Sequence, residues 1–532
     1  MVMKMNNKIL IFIFFLISQL NFGQLVPEIE WLRIYDGIGN GNDFVNDMKM
    51  DKDYNIYLAG RSGGIDGTPD FTIMKYSNTG DSLLNIRFIS SQNAWDEVNS
   101  IAVDSSENIY AIGSASFGQS SFYSVFFKYS TTGNVLWSKN YFSNPDSISE
   151  GLKVVLDHQG NPIIGYLKYQ QHSSANFTKY TSNGDSLWTT QIKDDTSAYQ
   201  LDYLLADSLG NFYASLTQLY FPGGGLPEKQ VILLKLNQNG NIVWTRALNV
   251  EAARKMIFDL EGNIILETHG DGKLIKYTQN GDSLWTYESN GLLTDIAVDR
   301  DNNILVSGYT GGIGAFDYMI NKLSSDGNEI WSNQFNSNEN LRDFASSIVI
   351  DNENNTYVTG SSHDMFSQGL SYTLKYNSTG DLKWQHRFDA PYGIFENPHS
   401  IFLDDSNNVI IGGDYTDSTN GANFFLMKIK QKSGSSVQLS DDNLPAQYFL
   451  SQNFPNPFNP KTKIEFSIPE IGFVKLEVYD ALGRKIKELL NQELSAGNYI
   501  VDFNASELSS GIYYYRLITI DFTLLKKAVL LK

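Results

Sequence analysis

One motif recurs eight times along this chain, and it constrains the fold more than any other feature. Its aspartate stands at Asp51, Asp104, Asp157, Asp207, Asp259, Asp299, Asp351 and Asp404, 40 to 53 residues apart. Four residues on, an asparagine follows each time: Asn55, Asn108, Asn161, Asn211, Asn263, Asn303, Asn355 and Asn408. A mostly apolar triplet precedes the Asp ("IAV", "VVL", "IVI", "IFL"). A short apolar or aromatic run follows the Asn, as in "IYAIG" and "TYVTG". A unit of this period cannot bury its own faces and must stack on its neighbours.

Each copy continues with a second signature. A strand-like run ends in Lys75, Lys128, Lys179, Lys235, Lys276, Lys322, Lys375 or Lys428. Most copies then show Gly and, four residues later, Trp, as in "STTGNVLW", "TSNGDSLW" and "SSDGNEIW"; the copy at Gly80 has Leu84 instead. Seven of the eight tryptophans hold this place or its N-terminal equivalent, Trp31; only Trp95 does not. Plentiful Phe, Tyr, Val and Ile favour strands, and frequent Gly and Asn favour tight turns. Each copy thus offers four short strands, the content of one propeller blade. An indole buries about 150–250 Å², so buried Trp at one repeated depth would tie adjacent units together.

The eighth copy ends at "FFLMKIKQK" without a Trp strand, whereas the chain starts with "EWLRIY", a Trp strand without a copy before it. The expectation is that residues 30–35 complete the last unit and seal edges that an open array leaves unpaired. The fold class expected is all-β: an eight-bladed β-propeller over 24–432, then a linker at 433–446 and a small Ig-like antiparallel β-sandwich over 447–532. The stretch "DYMINKLSSDGNEIWSNQFNSNENLRDFASSIVIDNENNTYVTGSS" resembles the SBBP-type bacterial β-propeller repeat. That resemblance implies a propeller and no single activity.

The repeated turn raises the question of metal. Asp351, Glu353 and Asn355 alternate as oxygen ligands do in calcium loops, yet "DSSEN", "DHQGN" and "DSLGN" keep only Asp and Asn. Calcium takes six or more oxygens, so a structural turn is expected, with no cofactor. The calcium candidates to examine are Asp51, Asp53 and Asn55, and Asp299, Asp301 and Asn303. The repeated lysines suggest partners for the repeat Asp.

Eight residues before the repeat Asp stand Asp43, Asp96, Glu251, Asp343 and Glu396, with Glu150 one place out of register. These fall on connections between units, at the rim of the central opening. A ring of carboxylates there would hold a cation or a basic segment; the alternative is that each caps a backbone amide of the next unit. Trp95, beside Asp96, either stacks on a sugar or peptide or packs under its loop. Catalytic patterns are missing: the six histidines show no His-x-x-x-His spacing, and there is no nucleophile elbow or phosphate loop. The Gly-x-x-x-Trp turns resemble those of quinone-cofactor dehydrogenases, but the adjacent cysteines of many such enzymes cannot exist in a chain without Cys. Three functions stay open: a protein- or glycan-binding module, a polysaccharide-active enzyme using paired carboxylates, and a structural spacer.

The first residues, "MVMKMNNKILIFIFFLISQLNFG", join two lysines to a short apolar run. They read as a secretory signal peptide over 1–23, leaving no transmembrane segment in the mature chain. The absence of Cys rules out disulfides and lipid-anchored export. A formal charge of −19 argues against nucleic acid or an anionic membrane as partner. The charge is uneven, since 447–532 holds ten basic against nine acidic residues.

That last segment alternates cleanly in "KIEFSI" and "VKLEVYD", as half-buried strands do. Its residues Asn456, Pro457, Phe458, Asn459 and Pro460, then Val478-Tyr479-Asp480, Gly483, Arg484, Gly511, Lys526 and Lys527 closely resemble the type A C-terminal sorting domain of the type IX secretion system. The resemblance implies Sec export, recognition by the type IX machinery as partner, and a secreted or outer-surface location.

Overall fold

The computed structural model describes residues 27–532 except 40, 92–93, 118–120, 142–147, 170–171, 221–227, 313–314, 338–341, 364–368, 389–392, 418–420, 432–436, 440–447, 470–471, 495–496 and 520–521. The segment read as a signal peptide lies outside the described residues. The chain divides into two compact units, Pro27–Gln431 and one containing Lys432–Lys532. All regular structure described is β, and among the described residues no helix is long and apolar enough to cross a membrane.

The larger unit consists of propeller-like four-stranded antiparallel sheets, eight among the described residues. The first is Phe44–Met50, Ile56–Gly63, Pro69–Tyr76 and Ser82–Phe88, and the next six follow in chain order to Phe388. The eighth combines Gly393–Leu403, Val409–Asp417 and Gly421–Lys430 with the N-terminal Glu28–Tyr35. The first strand of each sheet lies beside the first strand of the next, and Gly393–Leu403 lies beside Phe44–Met50. Separate apolar cores fill the spaces between consecutive sheets. Tyr57, Phe71, Val98 and Phe127 join the first to the second. Trp31, Met48, Ile410 and Phe424 join the eighth back to the first. The second and third strands are buried on both faces, as runs such as "IYLAG" require.

The Trp–Gly signature works between sheets. Six of the seven indole N–H groups donate to a backbone carbonyl in the Gly turn of the following sheet, as Trp31 does to Asn78 at 3.2 Å, Trp188 to Gln238 at 2.9 Å and Trp285 to Ser325 at 3.0 Å. The turn glycine lies flat on the ring; a Cβ on Gly240 would sit 2.5 Å from Trp188 Cδ2. One expectation needs correction. Only Trp31 and Trp384 are buried, at 8% and 6% exposure, while the other five repeat tryptophans are half-buried. All seven stand on the outermost strand of their sheet, and in these five part of the ring faces solvent.

Gly240 and Gly160 both have positive φ, +81° and +77°, but nothing lies within 4 Å of a Cβ on Gly160. Gly160→Ala is therefore expected to cost only left-handed strain, about 1–2 kcal/mol. Gly240→Ala should cost clearly more, because the indole beneath must move. Paired urea melts measure the difference; equal costs would mean the indole contact contributes nothing.

The smaller unit is two four-stranded antiparallel sheets. One orders Val437–Leu439, Gly497–Asn504, Lys461–Ile468 and Phe449–Leu450; the other orders Lys485–Leu494, Gly472–Asp480, Gly511–Ile518 and Thr523–Leu530. Ile464, Phe466, Val478, Val501 and Tyr515 share one core. Val437–Leu439 falls within the stretch read as linker, yet it pairs with Tyr499–Val501 and extends the first sheet.

Candidate functional site

The repeated residues serve the fold. In each copy Oδ1 of the repeat Asp accepts the amides two and four residues on, as Asp51 does from Asp53 and Asn55, both at 2.9 Å. Oδ2 of Asp51 takes Asn55 Nδ2 at 2.9 Å and the Tyr57 hydroxyl at 3.0 Å. Asp299 is held in the same way by Asp301, Asn303 and Lys322. Asp53 bonds Lys52, and Asp301 accepts Asn354 Nδ2. These carboxylates are coordinated by their own chain. Among the described residues, no group of three or more His, Cys, Asp or Glu side chains is placed to hold a metal ion.

The lysines divide by one neighbour. Where the residue six beyond the Asp is Ile or Leu, Lys reaches the carboxylate at 2.8 Å: Lys179–Asp157, Lys276–Asp259, Lys322–Asp299 and Lys428–Asp404. Where it is Tyr57, Tyr110, Tyr213 or Tyr357, the ammonium sits 4.8–4.9 Å above that ring instead. The phenyl ring intervenes, stretching Lys75–Asp51 to 3.5 Å and Lys128–Asp104 to 3.9 Å.

The rim acids take several positions. Asp43, Asp96 and Asp343 are fully buried. Asp43 accepts the amides of Gly37 and Gly63 at 2.8 and 2.9 Å. Asp96 binds Ser90 and the Ser116 amide, and Asp343 binds the Ser337 amide and hydroxyl. Each ties the entering connection to the second strand of its sheet, and burial raises each carboxyl above its usual value against those bonds. Glu150 accepts the Tyr169 hydroxyl at 2.8 Å, Glu251 is exposed beside Gly270, and Glu396 is buried across from Tyr415. Trp95 is 42% exposed, with the Arg61 guanidinium 4.9 Å from its ring and also paired to Glu97.

The polar groups that do converge lie on the first strands. Every first strand carries a bulge, and the residue after it, four before the repeat Asp, begins the inward-facing stretch: Asp47, Ser100, Lys153, Tyr203, Lys255, Asp295, Ser347 and Ser400. Several link to the following sheet. Asp47 Oδ2 accepts the Ile101 amide at 2.9 Å, Ser100 Oγ the Val154 amide at 3.4 Å, and Asp295 Oδ2 the Ile348 amide at 2.9 Å. Lys255 pairs with Asp295, and Lys49 with Asp47. Charges from several sheets act together: burial raises the Tyr203 phenol, Lys255 and Lys49 pull it back, and Asp295 and Asp47 push it further.

Two carboxyls here are held protonated toward neutrality. Burial pushes Asp202 up to about 7, against the Thr217 hydroxyl, the Ala253 amide and Lys153. Burial pushes Glu267 up to about 8; Arg254 and Lys255 oppose the shift and Asp295 adds to it. Glu267 is fully buried, and neither oxygen has a hydrogen-bond partner among the described residues. Because its folded pKa lies above the unfolded value of about 4.3, ionising it opposes folding. The penalty is absent below that value and grows as pH rises toward about 8. Glu267→Gln is expected to leave the melting temperature unchanged at pH 4.5 and to raise it at pH 9, where each tenfold displacement of the proton equilibrium is worth roughly 1.4 kcal/mol. An equal gain at both pH values would contradict the buried acid.

The rim acids stand out in the sequence because they recur, and recurrence marks architecture. The convergent cluster varies among four polar residue types, and its signal is variation at a fixed place. Four before the Asp the residues read Asp, Ser, Lys, Tyr, Lys, Asp, Ser, Ser. Eight after it they read Ala, Ile, Gly, Ser, Glu, Ser, Thr, Gly, so Glu267 is the lone charge.

In the smaller unit the sorting residues hold the last strand. Asn456 Nδ2 donates to the Lys527 carbonyl, and its Oδ1 accepts the Val529 amide at 2.9 Å. Phe458 is buried and exchanges backbone bonds with Val529 and Leu531, and the Pro460 carbonyl accepts the Ala505 amide. The Asn456–Pro457 peptide bond is cis, and Asn459 completes the loop. Gly483 takes φ 79° in a turn closed by Asp480 and Arg484, Gly511 opens its strand, and Lys526 and Lys527 are exposed.

Comparison with known proteins adds to this geometry. Residues 452–531 match the secretion system C-terminal sorting domain, and residues 228–421 match the outer membrane protein assembly factor BamB. No curated protein matches the chain. Similar solved structures include a virginiamycin B lyase from Staphylococcus aureus, at 9% identity over 75% of this chain and 99% of that one, TM-score 0.38. The Dos1 propeller matches at 8% identity over 74% and 95%, TM-score 0.45. The polysaccharide lyase Uly1 matches at 11% over 76% and 99%, TM-score 0.40. At such identities the likeness concerns fold alone. The chain carries a secretion system C-terminal sorting domain behind a propeller-like unit with BamB-like repeats, which implies recognition by the type IX secretion machinery and secretion to the cell surface or outer environment.

Proposed function

We propose that this chain is an exported eight-bladed β-propeller of the SBBP type that binds a protein or glycan ligand without transforming it. In this reading residues 1–23 are the signal peptide, 24–432 the propeller and 447–532 an Ig-like sorting sandwich. Support for a closed ring comes from the neighbouring first strands and from the seam at Trp31, where the eighth sheet meets the first. One observation carries the binding reading: the inward positions of the first strands are polar throughout and vary among Asp, Ser, Lys and Tyr, while the repeated Asp, Lys and Trp serve packing. Asp43, Asp96 and Asp343 then act as clamps between blades. Chain 24–532 on a glycan array and as bait in a pull-down tests this; retention of nothing in either would sink it.

A second reading, polysaccharide cleavage, is favoured by Asp202, half-buried on the first strand of the fourth sheet with its carboxyl pushed up to about 7, since a general acid needs its proton near working pH. It requires product release from host or algal glycans, abolished by Asp202→Asn.

A further inference from the structure

The ring of residues four before the repeat Asp has a gap. Asp47, Ser100, Lys255, Asp295 and Ser347 all make hydrogen bonds with a neighbouring sheet. Lys153 and Tyr203, adjacent on the third and fourth sheets, do not: among the described residues neither the ammonium nor the phenol has a hydrogen bond or an ion pair. The ammonium lies 5.9 Å from the centre of the Tyr203 ring. On the fifth sheet Arg254, next to the Ala253 amide that Asp202 accepts, comes no nearer than 4.0 Å to Glu267 and keeps 42% of its side chain exposed. The nearby cations Lys49 and Lys255 are already paired with Asp47 and Asp295.

With Asp202 and Glu267 carrying protons near neutral pH, this stretch presents two uncompensated cations inside a chain of formal charge −19. Burial lowers the Lys153 ammonium below its ordinary value; Asp47 and Asp202 favour the charge and Lys49 opposes it, so no close carboxylate stabilises it. Such a cation gains most from an incoming anion. The flat Tyr203 ring beside it offers an apolar face, and the half-buried Asp202 carboxyl, when protonated, donates to hydroxyl groups, which an acidic sugar has and an acidic peptide chain largely lacks.

We infer that Lys153, Tyr203 and Arg254 bind the carboxylate-bearing ring of an acidic sugar on the inner strands of the third to fifth sheets. The inference rests on the binding-module reading and names its ligand class. The test is titration calorimetry of chain 24–532 with trigalacturonate, with neutral galactotriose and a penta-aspartate peptide as the other arms. Trigalacturonate is expected to bind at least tenfold tighter than either. Lys153→Met and Tyr203→Leu should each weaken it tenfold or more, whereas Lys153→Arg should retain most of it. Unchanged melting temperatures establish that the variants are folded. Equal binding of the neutral sugar, tighter binding of the peptide, or indifference to Lys153→Met in a folded variant would overturn the assignment. If array or pull-down ligands are still retained, the binding-module reading survives that failure; if nothing is retained, both fall.

Discussion

A chain lacking residues 24–36 is expected to lose cooperative folding of the larger unit and to self-associate. The strand Glu28–Tyr35 pairs with Gly421–Lys430 from Glu28↔Lys430 to Tyr35↔Phe424, and without it that strand becomes an open edge. The same deletion removes Trp31 from the core between the eighth and first sheets, together with the Arg33 bond to the Gly80 carbonyl at 2.6 Å. Truncating a core aromatic alone costs about 3–5 kcal/mol, set against a typical total of about 5–15 kcal/mol. Trp31→Ala supplies the milder version and should lower stability by that first amount. Calorimetry with size-exclusion chromatography reads both. A monomeric deletion variant melting at the wild-type temperature would refute closure through the N-terminal strand.

Lys322→Ala is expected to destabilise by about 3–5 kcal/mol, because it strands a carboxylate buried for pairing. Asp299 has no exposed side-chain surface, and Lys322 Nζ is 2.8 Å from it. Lys235→Ala, at the matching place in the fourth sheet, should cost less, about 1–2 kcal/mol, because that ammonium lies over Tyr213 and bonds the Gln279 carbonyl. The pH dependence has a definite sign. Burial pushes the Asp299 carboxyl up, but Lys322 and Asn303 more than offset it, so its pKa falls below the ordinary value. Its contribution is therefore complete above the unfolded pKa of about 3.9 and is lost as pH falls through the folded value. The deficit of Lys322→Ala should shrink in acid, whereas that of Lys235→Ala should change little. Equal deficits at neutral pH would mean the buried pair is no stronger than the stacked lysine.

The sheets, their number and their order were legible because each rests on a local pattern. Asp and Asn four apart fix a turn, apolar runs on either side make inner strands, and Gly before Trp marks the outer hairpin. The orphaned "EWLRIY" revealed its partner because the eighth copy lacked that strand. Even the Lys–Asp pairing was legible, although its dependence on Tyr or Ile six residues on required the ring's height above the strand. The exposure of the repeat tryptophans was not legible, since a residue type carries no record of whether its strand is innermost or outermost.

The sequence by itself determined the eight copies, the N-terminal strand that pairs with Gly421–Lys430, and the export address with its Asn456–Pro460 motif, because short-range spacing encodes turns, strand faces and motifs. Only the tertiary structure decided which charges meet. Lys153, Tyr203, Lys255, Glu267 and Asp295 are spread over 143 residues of chain and become neighbours through the stacking of successive sheets. Asp43, Asp96 and Asp343, for which the repeat register left a ligand ring and an amide cap both open, are buried and bonded to the connections beside them. Pairing register depends on neighbouring residues, but proximity around a ring depends on how many sheets close it and how tightly each packs on the next.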